Sequence, residues 1–161
     1  MKSISESQAP KAQKRVLVVD DQRPVLETLG AMLTTVGYRA VCVPSGKVAL
    51  SSARLRTFDA ALIDIYMPEM DGFETAQRLR EQCERRGKPI RIWHVTGMNS
   101  PEVERRSAQS GVMGLILKPF YLADLRRVLE EGFAAPIPPL AAPLPPFTPS
   151  PLHAPKNVAA S

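Results

Sequence analysis

The chain has two cysteines in 161 residues, Cys42 and Cys83, too few for a disulfide-stapled scaffold. A chain of this length buries roughly 70% of its unfolded surface around one core and needs no staple. Long hydrophobic runs are also missing. The longest, such as VLVV at 16–19, fall far short of a membrane span. The start, MKSISESQAPKAQKR, lacks the apolar stretch of a signal peptide. These absences argue against a secreted, membrane-spanning or fibrous protein, and a cytoplasmic one with reduced, core-packed cysteines is expected. A one-sided charge is absent from the body too. Residues 15–133 hold 17 basic and 15 acidic side chains, against an overall formal charge of +5. Nucleic-acid binders concentrate positive charge on one face, so this balance argues against direct nucleic-acid contact. The pairs Arg85/Arg86, Arg105/Arg106 and Arg126/Arg127 are expected on solvated helix faces.

What is present alternates two patterns. VLVVD (16–20), AVCV (40–43), AALID (60–64), RIWHVT (91–96) and GLIL (114–117) read as strands. Several are continuously apolar, as strands covered on both faces are. Amphipathic stretches follow each. Pro24 suits the first turn of a helix running to Gly37, and Ser45 caps one reaching about Arg56. Phe73, Ala76, Leu79 and Cys83 stripe a third, Ser100-Pro101 opens a fourth, and Leu122, Leu125, Val128 and Leu129 stripe a fifth ending near Gly132. Five strand–helix pairs predict an α/β fold with a parallel, doubly wound sheet. From Pro136 to Ser161, nine of 26 residues are proline. That composition predicts a disordered, polyproline-like tail over 134–161, after a flexible leader (1–14) and one folded domain (15–133). PLPPFTP at 143–149 is the part of the tail that a groove lined with aromatics can bind. No further folded domain is expected after Phe133.

In open parallel sheets the site lies at the carboxyl ends of the strands. The strand endings here are Asp20-Asp21, Val43-Pro44, Asp64, Thr96-Gly97 and Lys118-Pro119. Three carboxylates, a hydroxyl and an ammonium are therefore expected on one edge. Three carboxylates repel unless protons or a cation intervene. A set of hard oxygens with little nearby His or Cys favours Mg²⁺. No glycine-rich nucleotide cradle is present, so a phosphoryl-transfer site that does not hold ATP is expected. His94, inside a strand, reads as a packed core histidine, and Trp93 as packing.

VLVVDD at 16–21, DIYMPEMDG at 64–72, VTG at 95–97 and KPF at 118–120, in this order, resemble the receiver domain of two-component response regulators. The resemblance spans about 15–133. It implies a flavodoxin-like strand order 2-1-3-4-5 with five helices. It also implies that Asp64 accepts a phosphoryl group as a nucleophile. Asp20 and Asp21, with Asp64 and the backbone carbonyl of Tyr66, would ligate Mg²⁺. Thr96 would be the switch hydroxyl, and Lys118 would pair with the phosphate, its bond to Pro119 being cis. The implied donor is a sensor histidine kinase or a histidine phosphotransfer protein. The implied output is a conformational switch read by a downstream protein on the surface that includes Arg105, Arg106, Leu115, Arg126 and Arg127. Such a chain is a phosphoacceptor with assisted self-phosphorylation and autodephosphorylation, not a free-standing enzyme.

Leu115 stands where many members carry an aromatic residue, so the usual aromatic readout is not expected. Tyr66 and Met98 flank the implied path of the hydrolytic water. Three other readings compete. An aspartate-nucleophile phosphatase needs a second acid two residues after the nucleophile, where Tyr66 stands. A flavodoxin-type binder needs a Ser/Thr/Gly-rich first loop, where Asp20-Asp21-Gln22-Arg23 stand. A scaffold that keeps the fold without phosphorylation has no need of the intact acidic and basic endings.

Overall fold

The computed structural model describes residues 12–140. The elements are β1 (Arg15–Val19), α1 (Arg23–Thr35), β2 (Arg39–Val43), α2 (Gly46–Leu55), β3 (Ala60–Asp64), α3 (Gly72–Arg85), β4 (Arg91–Thr96), α4 (Pro101–Gln109), β5 (Gly114–Leu117) and α5 (Leu122–Ala134). All strand pairs are parallel, in the order β2-β1-β3-β4-β5. The expected order is the observed one.

The apolar runs are explained by helices on both faces. Side chains alternate across a strand. On one face Leu17, Ala61, Ile63 and Ile92 meet Ala49 and Ala53 of α2 and Ala76, Leu79 and Cys83 of α3. On the other, Val16, Val18, Leu62, Trp93 and Val95 meet Leu29 and Leu33 of α1 and Leu125 and Leu129 of α5. Leu62 is wholly buried, so trimming it to alanine is expected to cost roughly 2–5 kcal/mol. Helix starts follow local chemistry: the side chains of Ser45, Asp71 and Ser100 accept from the backbone N–H of Val48, Glu74 and Val103. No helix among the described residues is long and apolar enough to cross a membrane.

α5 runs to Ala134, close to its expected end near Gly132, and any side chain on Gly132 would strike the ring of Trp93. Two expectations are corrected. Arg106 is buried, not solvated, and its guanidinium lies over the ring of Phe73 at 4.7 Å. Cys42 is exposed, because β2 is an edge strand, whereas Cys83 is buried. The chain at 12–14 and 135–140 is tied to the body: Lys14 lies over the Phe133 ring at 4.6 Å, and the carbonyls of Ala135 and Pro138 accept from Arg91 and Arg80. The rest of the leader, the remainder of the tail and the PLPPFTP segment lie outside the described residues.

The strand order reverses at β1, which pairs with both β2 and β3. There the carboxyl ends of β1 and β3 lie side by side, and loops depart in opposite directions to leave a crevice. Asp20 and Asp64 are placed at this point.

Candidate functional site

Asp64 closes β3 and is 6% exposed; Asp20 follows β1 and is 1% exposed. Asp21, one residue on, is exposed. One carboxylate oxygen from each of the three lies within 4.8 Å of the others. Lys118, just past β5, reaches across the edge. Its Nζ donates to Asp20 Oδ2 and to Asp64 Oδ1, both at 3.1 Å. The second oxygen of Asp20 accepts from the backbone N–H of Gln22 at 2.8 Å, which fixes the carboxylate's direction.

Three carboxylates against one ammonium leave an excess of negative charge in a half-dry crevice. Burial, then the neighbouring charge of Asp20, pushes the Asp64 carboxyl up to about 7, with Lys118 pulling the other way. Asp21 is also raised, by burial and then by Asp20. Burial alone would lower the Lys118 ammonium, but Asp64 and Asp20 outweigh it and the net shift is upward. The cluster is thus short of positive charge. Clustered hard oxygens that hold protons in place of charge are the donor set that a small divalent cation satisfies. The residues present fit such an ion.

The loop after β3 is shaped by backbone. Glu69 adopts a left-handed conformation, φ 66°. Gly72 N–H donates to the Ile65 carbonyl at 2.8 Å. A Cβ on Gly72 would strike the Asp64 carbonyl oxygen and come within 2.7 Å of Ile65 Cα, so only glycine allows this closure beside Asp64. Lys47 of α2 pairs with Glu69 at 2.8 Å on the surface of the loop. Tyr66, two residues past Asp64, is half-buried and packs with Leu115 against Ile65, Phe73 and Val103.

Thr96 closes β4 and is fully buried, but its hydroxyl is engaged locally: it donates to the Met98 carbonyl at 2.8 Å and accepts from the Met98 N–H at 3.1 Å. The Lys118–Pro119 bond is cis. The structure therefore brings Asp20, Asp21, Asp64 and Lys118 together directly. Thr96 stands on the same edge with its hydroxyl turned to its own loop. Met98, beyond it, is exposed.

Sequence reasoning missed how α4 is moored beside this edge. His94 is fully buried: Nδ1 bonds Ser107 Oγ of α4 at 2.9 Å, and Nε2 meets the Gly72 carbonyl at 3.2 Å. Phe73 meets the imidazole edge-on at 5.0 Å. Burial lowers this imidazole to about 4, so it stays neutral. Arg106 lies over the Phe73 ring, close enough to Asp71 for their charges to interact. A signal existed in the spacing of Val103, Arg106 and Ser107, which share one helix face.

Comparison with known proteins agrees with this geometry. Residues 16–130 match the family model described as response regulator receiver domain. The two-component response regulator ORR3 of Oryza sativa subsp. indica is 31% identical over 129 residues, covering 80% of this chain and 97% of that protein. Larger relatives match in one part only: Histidine kinase 3 of Arabidopsis thaliana is 31% identical over 76% of this chain, which spans only 14% of the kinase. Among solved structures, the chemotaxis protein CheY4 of Vibrio cholerae superposes with a TM-score of 0.69 at 30% identity, covering 74% of this chain and 98% of that one. The receiver domain of sensor histidine kinase PA1611 from Pseudomonas aeruginosa, which carries a magnesium ion in its active-site cleft, gives 0.67 at 31% identity over 77% of this chain and all (100%) of its own. With most of its length matched by the family model and its acidic strand ends gathered at one edge, the chain belongs to the response regulator receiver domain family.

Proposed function

We propose that Asp64 accepts a phosphoryl group from a phosphohistidine on a histidine kinase or phosphotransfer protein, and that the change is read by a protein partner. One observation carries this reading: Asp64 sits beside Asp20 and Asp21 while one ammonium, Lys118, bridges it to Asp20 at 3.1 Å on each side.

The chain's residues divide the work by position. An oxygen of Asp64 attacks phosphorus as the bond from phosphorus to the donor imidazole nitrogen breaks, and that nitrogen keeps the electron pair. Asp64 must be ionised to attack, and burial opposes this. Lys118 favours the ionised form and stands where a phosphoryl oxygen on Asp64 would need a counter-charge. Asp20, Asp21 and Asp64, with the Tyr66 carbonyl, would hold Mg²⁺. Bound there, the ion supplies charge neutralisation for the carboxylates and the incoming phosphoryl oxygens. Thr96 would exchange its bond with Met98 for one to the phosphoryl group, moving the loop before α4. This is a two-state switch biased by a local charge. The accepting surface for a partner would include Arg105, Arg126 and Arg127, which are exposed, and Leu115, which is half-buried. Arg106 takes no part, because it is buried against Phe73.

The test is incubation with acetyl phosphate and Mg²⁺, followed by intact mass measurement of the wild type and of Asp64→Ala. One phosphoryl adduct confined to the wild type is expected. No adduct on the wild type would favour the scaffold reading.

A further inference from the structure

We infer that the corner formed by α3 and the α4–β5 turn is a seat for an extended proline-rich backbone, occupied by this chain's own residues 135–140, and that this strap ties the end of α5 to that turn.

The seat consists of donors. Arg80 of α3 is 2% exposed, although arginine is rarely buried without partners. Its guanidinium donates to the Gly111 carbonyl in the α4–β5 turn, to the Pro138 carbonyl at 2.7 Å and to Glu84 at 2.7 Å. Arg91, at the start of β4, donates to the Gly132 carbonyl at 2.9 Å and the Ala135 carbonyl at 3.0 Å. The occupant consists of acceptors. Pro136, Pro138 and Pro139 have no backbone N–H, so their main chain offers only carbonyls. An arginine fork has five donors and no acceptor. The three prolines therefore bring no N–H to such a surface, and in the strap past Ala135 only Ile137 and Leu140 carry one.

The shape also agrees. Pro136 and Pro139 are exposed while Ala135, Ile137, Pro138 and Leu140 are partly buried, a one-in-three exposure. Polyproline II has three residues per turn, so one edge of it faces water. The turn is cut to receive the strap. Gly111 is left-handed, φ 66°, and a Cβ there would lie 2.7 Å from the Pro139 carbonyl oxygen and 2.8 Å from Arg80 Nη1. Because one guanidinium holds both Gly111 and Pro138, the turn and the strap cannot shift independently.

The test uses the full chain labelled with ¹⁵N. Heteronuclear relaxation at the amides of Ile137 and Leu140 is expected to match that of Leu129 in α5. In Arg80→Met, and in the strap variant Pro138→Gly with Pro139→Gly, both amides are expected to relax as flexible chain while Leu129 stays rigid. The strap variant leaves every core residue in place, so it decides the matter if Arg80→Met does not fold. The Gly111 amide resonance is expected to move in the strap variant. Flexible Ile137 and Leu140 in the wild type, or rigid ones in every folded variant, would overturn the seat. An unmoved Gly111 resonance with a released strap would overturn the tie to the turn.

Discussion

Replacing Asp64 with asparagine is expected to stabilise the metal-free protein at alkaline pH, although it removes the proposed reactive group. The Asp64 carboxyl is raised from 3.8 to about 7, first by burial and then by Asp20. A folded-state value above the unfolded one means that the native state holds the proton more tightly. The corresponding stability is fully present below about pH 4, declines as pH rises, and is gone above about pH 7. Three units at about 1.4 kcal/mol each amount to at most about 4 kcal/mol, and this net shift already contains the attraction of Lys118. The asparagine side chain would keep the shape and lose the titration. Urea unfolding in chelator from pH 4.5 to 8 should therefore show the variant gaining on the wild type by up to about 1.4 kcal/mol per pH unit, then levelling off. His94 slopes the other way: burial lowers it to about 4, so its stability is present above about 6.5 and lost as pH falls toward 4. It is common to both chains and cancels in the difference. Mg²⁺ should shrink the gap by binding the ionised wild-type cluster. A difference that does not vary with pH, or a variant less stable at pH 8 without metal, would refute the reasoning.

Three further outcomes are expected. The His94 ring-proton resonances should titrate near pH 4, not at an ordinary histidine's 6.5, when followed by NMR. Gly72→Ala should cost about 1–3 kcal/mol in urea unfolding, because its Cβ would press on the Asp64–Ile65 backbone; it should also weaken Mg²⁺ binding measured by calorimetry. Tyr66→Asn with Met98→Ala should shorten the half-life of the phosphorylated protein severalfold, measured by intact mass over time, because the two bulky side chains that flank the water path implied by the family resemblance would be removed. An unchanged half-life would mean that water reaches phosphorus by another path.

The parts of this fold legible in the sequence are those set by local rules. Buried parallel strands show as unbroken apolar runs, and Ser45 and Ser100 announce their helices by the hydrogen bonds they can make. The site was legible because each polar residue ends an apolar run, and a parallel sheet sends every such ending to one edge. What escaped depends on a second element meeting the first. Arg106 reads as solvated until Phe73 of α3 supplies a ring for it. Gly132 marks the neighbourhood of a helix end, but the sequence does not show Trp93 of β4 packed against it. Cys42 reads as core until the strand order leaves β2 at the edge. Composition after Phe133 cannot show that Arg91 holds the Ala135 carbonyl and Arg80 the Pro138 carbonyl.

The central claim is that the β3 carboxylate bonded to Lys118 is also the one that takes phosphorus. Fragment mass spectrometry of the protein, treated with acetyl phosphate and Mg²⁺ and digested under mildly acidic conditions, tests it most directly. The account requires the added phosphoryl group on Asp64, formed only with divalent metal and greatly diminished in Lys118→Met. A modification at Asp20, Asp21 or a hydroxyl side chain, or one indifferent to metal, would contradict it.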